Sequence, residues 1–193
     1  MVIFDDSIQR ATRAEGFLEG GGVLYSSIQW GADASVIYAA NGESTSFDFY
    51  ILSVDSDGVS LKDDVRSAFN KFNNYIHFNP DNTYVYSDSG QVLNSTTGAP
   101  IGIFQSAGPM VPDSDHNVAI YLSFMFWGVD EIILESFSLS HFTPISYCSI
   151  TPSSSSIFDQ FPTRLIRWGS QGLAVGGNGS PLYIMSGSFV LGN

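Results

Sequence analysis

Carboxylates at alternate positions are the groups in this sequence best placed to do chemistry. Asp55-Ser56-Asp57-Gly58 and Asp113-Ser114-Asp115-His116 each set two acids two residues apart. Hard oxygen ligands at that spacing suit Ca²⁺, so Asp55, Asp57, Asp113 and Asp115 are the candidate metal ligands. Neither run has the full ligand spacing and distal Glu of an EF-hand loop. Asp and Gly also build turns unaided, because Asp hydrogen-bonds its own backbone; the turn reading takes precedence, and Ser87-Asp88-Ser89-Gly90 is a similar turn with one carboxylate. The neighbouring acids Asp5-Asp6, Asp63-Asp64 and Asp130-Glu131 would point to opposite faces of a strand, so none forms an acid–base dyad. His77, His116 and His141 are dispersed, without the spacing of a metal-binding helix. Cys148 alternates with polar neighbours and reads as a half-buried strand thiol. No Gly-x-Ser-x-Gly elbow occurs, and Gly176-Gly177-Asn178-Gly179 reads as a hairpin loop rather than a phosphate cradle. No catalytic residue and no cofactor-binding residue is singled out.

The composition narrows the classes further. The chain has 193 residues and a formal net charge of −12, with 44% hydrophobic residues. That hydrophobic content excludes a disordered chain. The charge argues against sequence-independent nucleic-acid binding, which needs cations against phosphates. A single cysteine excludes an internal disulfide framework. No apolar run reaches the roughly 18 residues of a membrane-spanning helix, and the start lacks the basic and apolar regions of a signal peptide. Lys62 and Lys71 are the only lysines, amid abundant Ser, Thr, Asn and Gly, a composition that points to an extracellular or cell-surface setting. Sequons occur at Asn94 and Asn178.

The elements that must carry these residues are short strands. Val36–Ala39, Phe47–Val54, Tyr84–Tyr86 and Leu182–Met185 are β-branched and aromatic runs bounded by turn formers. Asn41-Gly42, Asp57-Gly58 and Ser89-Gly90 can take the positive φ of tight hairpins. The segment Leu61–Phe72 is the one helical candidate. Residues 1–22 read as an N-terminal arm ending at Gly20-Gly21-Gly22, and residues 23–193 as a repeat domain. Four segments align, with Trp30, Phe78, Val111 and Trp168 as equivalent positions at a mean spacing of 46 residues. Four short strands in that period make the blade of a β-propeller. The expected fold is all-β and propeller-like, with about four blades, as a small ring, a fragment or a half completed by self-association. The Trp-Gly pairs are expected at strand ends, with the ring filling the space between blades.

Particular motifs carry a family resemblance over about residues 26–190. Ile28-Gln29-Trp30-Gly31-Ala32-Asp33, Tyr86-Ser87-Asp88-Ser89-Gly90-Gln91-Val92, Phe137-Ser138-Leu139 and Arg164-Leu165-Ile166-Arg167-Trp168-Gly169-Ser170-Gln171-Gly172 resemble divergent bacterial β-propeller repeats of large secreted or cell-surface proteins. The resemblance implies blades and specifies function hardly at all, and it implies no catalytic residue.

Phe124-Met125-Phe126-Trp127-Gly128-Val129 is the most apolar unusual segment. Phe124, Met125, Phe126 and Trp127 either extend two strands into the core or form an exposed interface. The expected role is therefore a non-enzymatic structural or recognition module that binds a protein partner or itself. Carbohydrate is a further candidate ligand. The alternative is a polysaccharide-active hydrolase or lyase that uses acids on the loop face.

Overall fold

The computed structural model describes residues 4–9, 25–42, 46–72, 74–124, 132–150, 163–176 and 182–187. Among them the regular structure is entirely β. Strands β1 (Phe4–Asp5) and β2 (Ile8–Gln9) form a small antiparallel hairpin within the segment expected as an arm. The first larger sheet has the order β3-β4-β5-β6, from β3 (Tyr25–Trp30), β4 (Val36–Asn41), β5 (Phe49–Asp55) and β6 (Gly58–Val65). The second runs β10-β9-β8-β7, from β7 (Ile76–Phe78), β8 (Tyr84–Ser87), β9 (Gln91–Asn94) and β10 (Pro100–Ile103). The third is β11-β12-β13-β14, from β11 (Met110–Asp113), β12 (Val118–Phe124), β13 (Ile132–Ser138) and β14 (Pro144–Ile150). The fourth shows three described strands in the order β15-β16-β17, from β15 (Arg164–Trp168), β16 (Gly172–Gly176) and β17 (Tyr183–Ser186). Each sheet is an up-and-down meander of sequence neighbours, and the aligned segments fall one to a sheet.

The expected helix over Leu61–Phe72 is not formed. Leu61–Val65 completes β6, a turn follows at Arg66-Ser67, and the rest is irregular. Register explains the difference. Leu61 pairs with Leu52 and Val65 with Phe49, so β6 gains a full ladder along β5. The register shifts between Ile51 and Leu52, where Lys62 is the extra residue of a bulge in β6, and Asp63 and Asp64 pair on beyond it with Ile51 and Tyr50. Tertiary pairing overrides the local helical pattern.

The chain divides into two compact units, Met1–Ser87 with Leu93–Ile101, and Asp88–Val92 with Gly102–Asn193. In the first unit one face of the first sheet packs on the second sheet. Tyr38, Phe49 and Ile51 meet Ile76, Val85 and Leu93. Tyr38 stacks on Phe49 with centroids 5.8 Å apart and tilts against Phe78 at 4.9 Å. Buried Ser27 accepts the Ile76 amide at 3.2 Å, so the polar group in this core is satisfied. In the second unit the third and fourth sheets share Ile120, Leu122, Leu134, Leu165, Leu173 and Val175.

A second aromatic centre in that unit is built around Phe104, which is 1% exposed. Its ring meets Tyr121 at 5.5 Å, Phe137 at 5.6 Å and Phe142 at 5.4 Å. Burial, reinforced by Asp88, pushes the Tyr121 hydroxyl well above its ordinary pKa. Gly90 turns at φ 92°, and a Cβ there would stand 2.5 Å from the Phe104 carbonyl oxygen, so only glycine lets this turn lie against the Phe104 backbone.

Phe104 is the anchor whose loss should matter most in the second unit. Phe104→Ala is expected to cost about 3–5 kcal/mol. Ile103→Ala, at a residue 46% exposed on the neighbouring position, should stay within about 0.5 kcal/mol. Urea denaturation of both variants measures the contrast.

Candidate functional site

Three turns of the first unit line a shallow depression of about 220 Å³. Ala32 comes from the turn after β3. Asp81, Asn82 and Thr83 come from the loop between β7 and β8, and Asn94, Ser95 and Thr96 from the end of β9. Tyr38 lies beneath them, held by its packing on Phe49 and Phe78.

Hydrogen bonds within each loop fix the walls. The Asp81 carboxylate accepts the Thr83 hydroxyl at 2.8 Å and the Thr83 amide at 3.2 Å. Those two bonds hold Asp81 below the usual carboxylate range. The Asn79 side chain donates to the Thr83 hydroxyl at 2.9 Å and to Asp81, and accepts the Tyr84 amide at 2.8 Å. Asn94 Oδ1 accepts the Thr96 amide, the Thr97 amide and the Thr97 hydroxyl, each at 3.0 Å. The Ser95 hydroxyl donates to the Asn82 carbonyl, and the Ser95 amide to the Thr83 carbonyl at 3.0 Å. This ties the two polar walls together. The lining thus offers hydroxyls, amides and one ionised carboxylate over an aromatic floor. The signal in the sequence is two polar turn runs, Asn79–Thr83 and Asn94–Thr97. Their convergence depends on strand pairing and cannot be counted along the chain.

The four acids singled out from sequence do not share one place. Asp55 Oδ1 accepts the Asp57 amide at 2.9 Å, closing the β5–β6 turn. Asp113 is buried, 8% exposed. Its carboxylate lies 2.6 Å from the Arg167 guanidinium, and His116 Nδ1 stands 3.0 and 2.9 Å from its two oxygens. Asp113 thereby joins β11 to β15 in the second unit, while Asp115 is exposed. Among the described residues no group of three His, Cys, Asp or Glu is placed to hold a metal ion. Asp88, in the third acidic turn, accepts the Met110 amide at 3.1 Å.

Another acidic grouping was not visible in the sequence. Asp48 and Tyr50 lie two residues apart, and Tyr50 pairs with Asp64 across β5 and β6. Asp48 accepts the Tyr50 hydroxyl at 3.1 Å and the Ser67 amide at 3.0 Å. Burial, followed by the Asp48 charge, pushes the Tyr50 hydroxyl up to about 12. Burial and then Asp48 also raise Asp64 above the usual carboxylate range, against the pull of Arg66 at 3.5 Å. Sixteen residues separate the two carboxylates, so only the hairpin register brings them together.

Phe124 ends β12, and Met125, Phe126 and Trp127 lie outside the described residues. So do the Asn178 sequon and the Gly20–Gly22 joint. His77 lies on β7, opposite Tyr86. Cys148 is a partly buried free thiol on β14. The Trp-Gly pairs do end strands, but Trp30 is 53% exposed and Trp168 57%. The rings do not fill a space between sheets as expected.

No family model matches the sequence, and no curated protein matches it. Solved structures of similar fold do match. A protein of Bacteroides uniformis provisionally designated a 6-phosphogluconolactonase aligns with a TM-score of 0.61 at 10% identity, over 100% of this chain and 61% of that one. The hydrazine synthase of Kuenenia stuttgartiensis aligns with a TM-score of 0.53 at 8% identity, over 83% of this chain and 53% of that one. The chain therefore spans little more than half the length of these proteins. At such identities the likeness concerns the fold alone, an all-β architecture of repeated sheets that is propeller-like in general character.

Two measurements follow from the carboxylates. Arg167→Ala leaves the buried Asp113 without its guanidinium partner and should cost about 3 kcal/mol, read as a lowered midpoint in urea. Asp64 has a raised folded pKa, so its contribution to stability is complete below the unfolded pKa. It is lost as pH rises through the folded value. Asp64→Asn is accordingly expected to raise Tm at pH 7 and leave it unchanged at pH 3, in paired thermal melts.

Proposed function

We propose that this chain is a non-enzymatic structural and recognition module, a partial propeller of four blades that assembles with a second copy of itself. One observation carries the proposal: the first and the last sheet each leave a large apolar pair half exposed on the side turned away from the core that each shares with its neighbouring sheet.

In the first sheet, Ile28 and Trp30 are two residues apart on β3 and so share a face. They pair with Ala39 and Ile37 on the side opposite Tyr38 and Phe49; the middle of that side is buried, with Ile37, Ala39, Tyr50, Leu52 and Val54, and the exposed apolar surface is its edge on β3. In the fourth sheet, Ile166 lies in one row with Ala174 and Ile184. Trp168 stands beside that row, opposite the side of Leu165, Leu173 and Val175. Ile28, Trp30, Ile166, Trp168 and Ile184 are about half exposed. Exposed apolar faces of this kind mark interaction surfaces, and stacked repeats need their end faces covered.

The same Ile-x-Trp-Gly motif stands at both ends, which suits head-to-tail stacking of first sheet on last. Two copies joined twice in this way would bring eight sheets into one ring, within the 4–8 blades that propellers use. The extracellular or cell-surface setting expected from the Lys-poor, acidic composition belongs to this proposal, as does the kinship with secreted propeller repeats.

The hydrolase or lyase reading needs two carboxylates open to one cleft. The hairpin brings Asp48 and Asp64 together, and Asp48 is buried and engaged by Tyr50 and Ser67. That engagement favours a structural role for the pair.

Light scattering across a concentration series tests the assembly. The native chain should double in mass as concentration rises, and Trp30→Ser and Trp168→Ser should each remain monomeric with unchanged Tm. A native monomer at every concentration would overturn the reading.

A further inference from the structure

We infer that the depression between the turns of Ala32, Asn79–Thr83 and Asn94–Thr96 binds a neutral, hydroxyl-rich ring, one sugar residue either free or at the end of a glycan. The inference concerns the first unit alone and is independent of how copies assemble.

Three features of the lining lead to it. The first is size. About 220 Å³ falls below the roughly 300–1,000 Å³ of pockets for drug-sized ligands, which suits a single ring. The second is the mixture of surfaces. Tyr38 and Ala32 supply a small apolar contact, as the C–H face of a sugar requires. Asn82, Asn94, Thr96 and Asp81 surround it with both donors and acceptors. A hydroxyl both donates and accepts, so a polyol can satisfy such a rim, and a site with these groups discriminates against ligands lacking hydroxyls.

The third feature is charge. The lining holds no Lys, Arg or His, and its one carboxyl group, Asp81, is held as a carboxylate by Thr83. An ionised carboxylate repels phosphate and accepts hydrogen bonds from hydroxyls. The site therefore selects neutral sugars over sugar phosphates. The walls are also fixed before any ligand arrives. Thr83, Asn79 and Asn94 are locked by the bonds within their loops, so ligand binding need not order them.

Amide NMR of the full chain tests this. The probes are glucose, galactose, mannose and N-acetylglucosamine, the 6-phosphate of each, a disaccharide of each, and CaCl₂ alone. At least one neutral sugar should give saturable shifts centred on residues 79–83 and 94–96, with Kd in the range of about 1 mM. Its 6-phosphate should bind at least tenfold more weakly, and Asp81→Asn should narrow that gap. Asn82→Gly, which keeps the left-handed backbone that Asn82 adopts at φ 55°, and Thr96→Val should each weaken binding several-fold with Tm unchanged. Equal affinity for monosaccharide and disaccharide points to a free sugar, and tighter binding of the disaccharide points to a glycan end; both support the site. The inference is overturned if no neutral sugar saturates these shifts, if phosphates bind as tightly, if the variants bind normally, or if only Ca²⁺ moves these residues.

Discussion

A β-sheet has two faces, and one neighbouring sheet can cover only one of them. The rest of this structure follows from that constraint. The first sheet buries Tyr38, Phe49 and Ile51 against the second, and the third buries Ile120, Leu122 and Leu134 against the fourth. Burying each such side chain stabilises the fold by roughly 1.5–3 kcal/mol, which an isolated four-stranded meander could not obtain on its inner side. Strand alternation then fixes what the opposite side must carry. Once Leu165 and Arg167 face the third sheet, Ile166 and Trp168 face away.

The same constraint explains where the charge resides. The chain carries −12, yet several of its acids work as braces. Asp113 meets Arg167 between β11 and β15. Asp48 closes the bend before β5 by accepting the Ser67 amide, Asp88 holds the start of β11, and Asp81 stiffens the β7–β8 loop. Each carboxylate satisfies backbone or side-chain donors that a turn would otherwise leave unpaired. The acidity is thus in part the chemistry of building many tight turns on short strands, and the polar depression is formed where three of those turns meet.

Much of the strand plan was legible because alternation is a local property. The runs at Val36–Ala39, Phe47–Val54 and Tyr84–Tyr86 announce themselves through β-branched and aromatic side chains. The grouping of four segments survives because each segment became one sheet. What failed was set by partners distant in the chain. Leu61–Phe72 has helical spacing, yet the ladder with β5 captures its first half. The Trp rings have core-like identity, yet the pleat turns them outward. Distance along the chain also hid the ion pair of Asp113, whose partner Arg167 lies 54 residues later. The polar residues of the depression read as ordinary turn formers, and only strand pairing gathers them.

The central claim is that the outward face of the first sheet meets that of the fourth sheet in another copy. Disulfide trapping tests it directly. Ile28→Cys and Ile166→Cys chains would each be made in a Cys148→Ser background, mixed and oxidised. The account predicts an efficient crosslink between the two different chains and little crosslinking of either chain alone. Failure to crosslink in the mixture, or equal crosslinking of each chain with itself, would contradict head-to-tail stacking of the sheets.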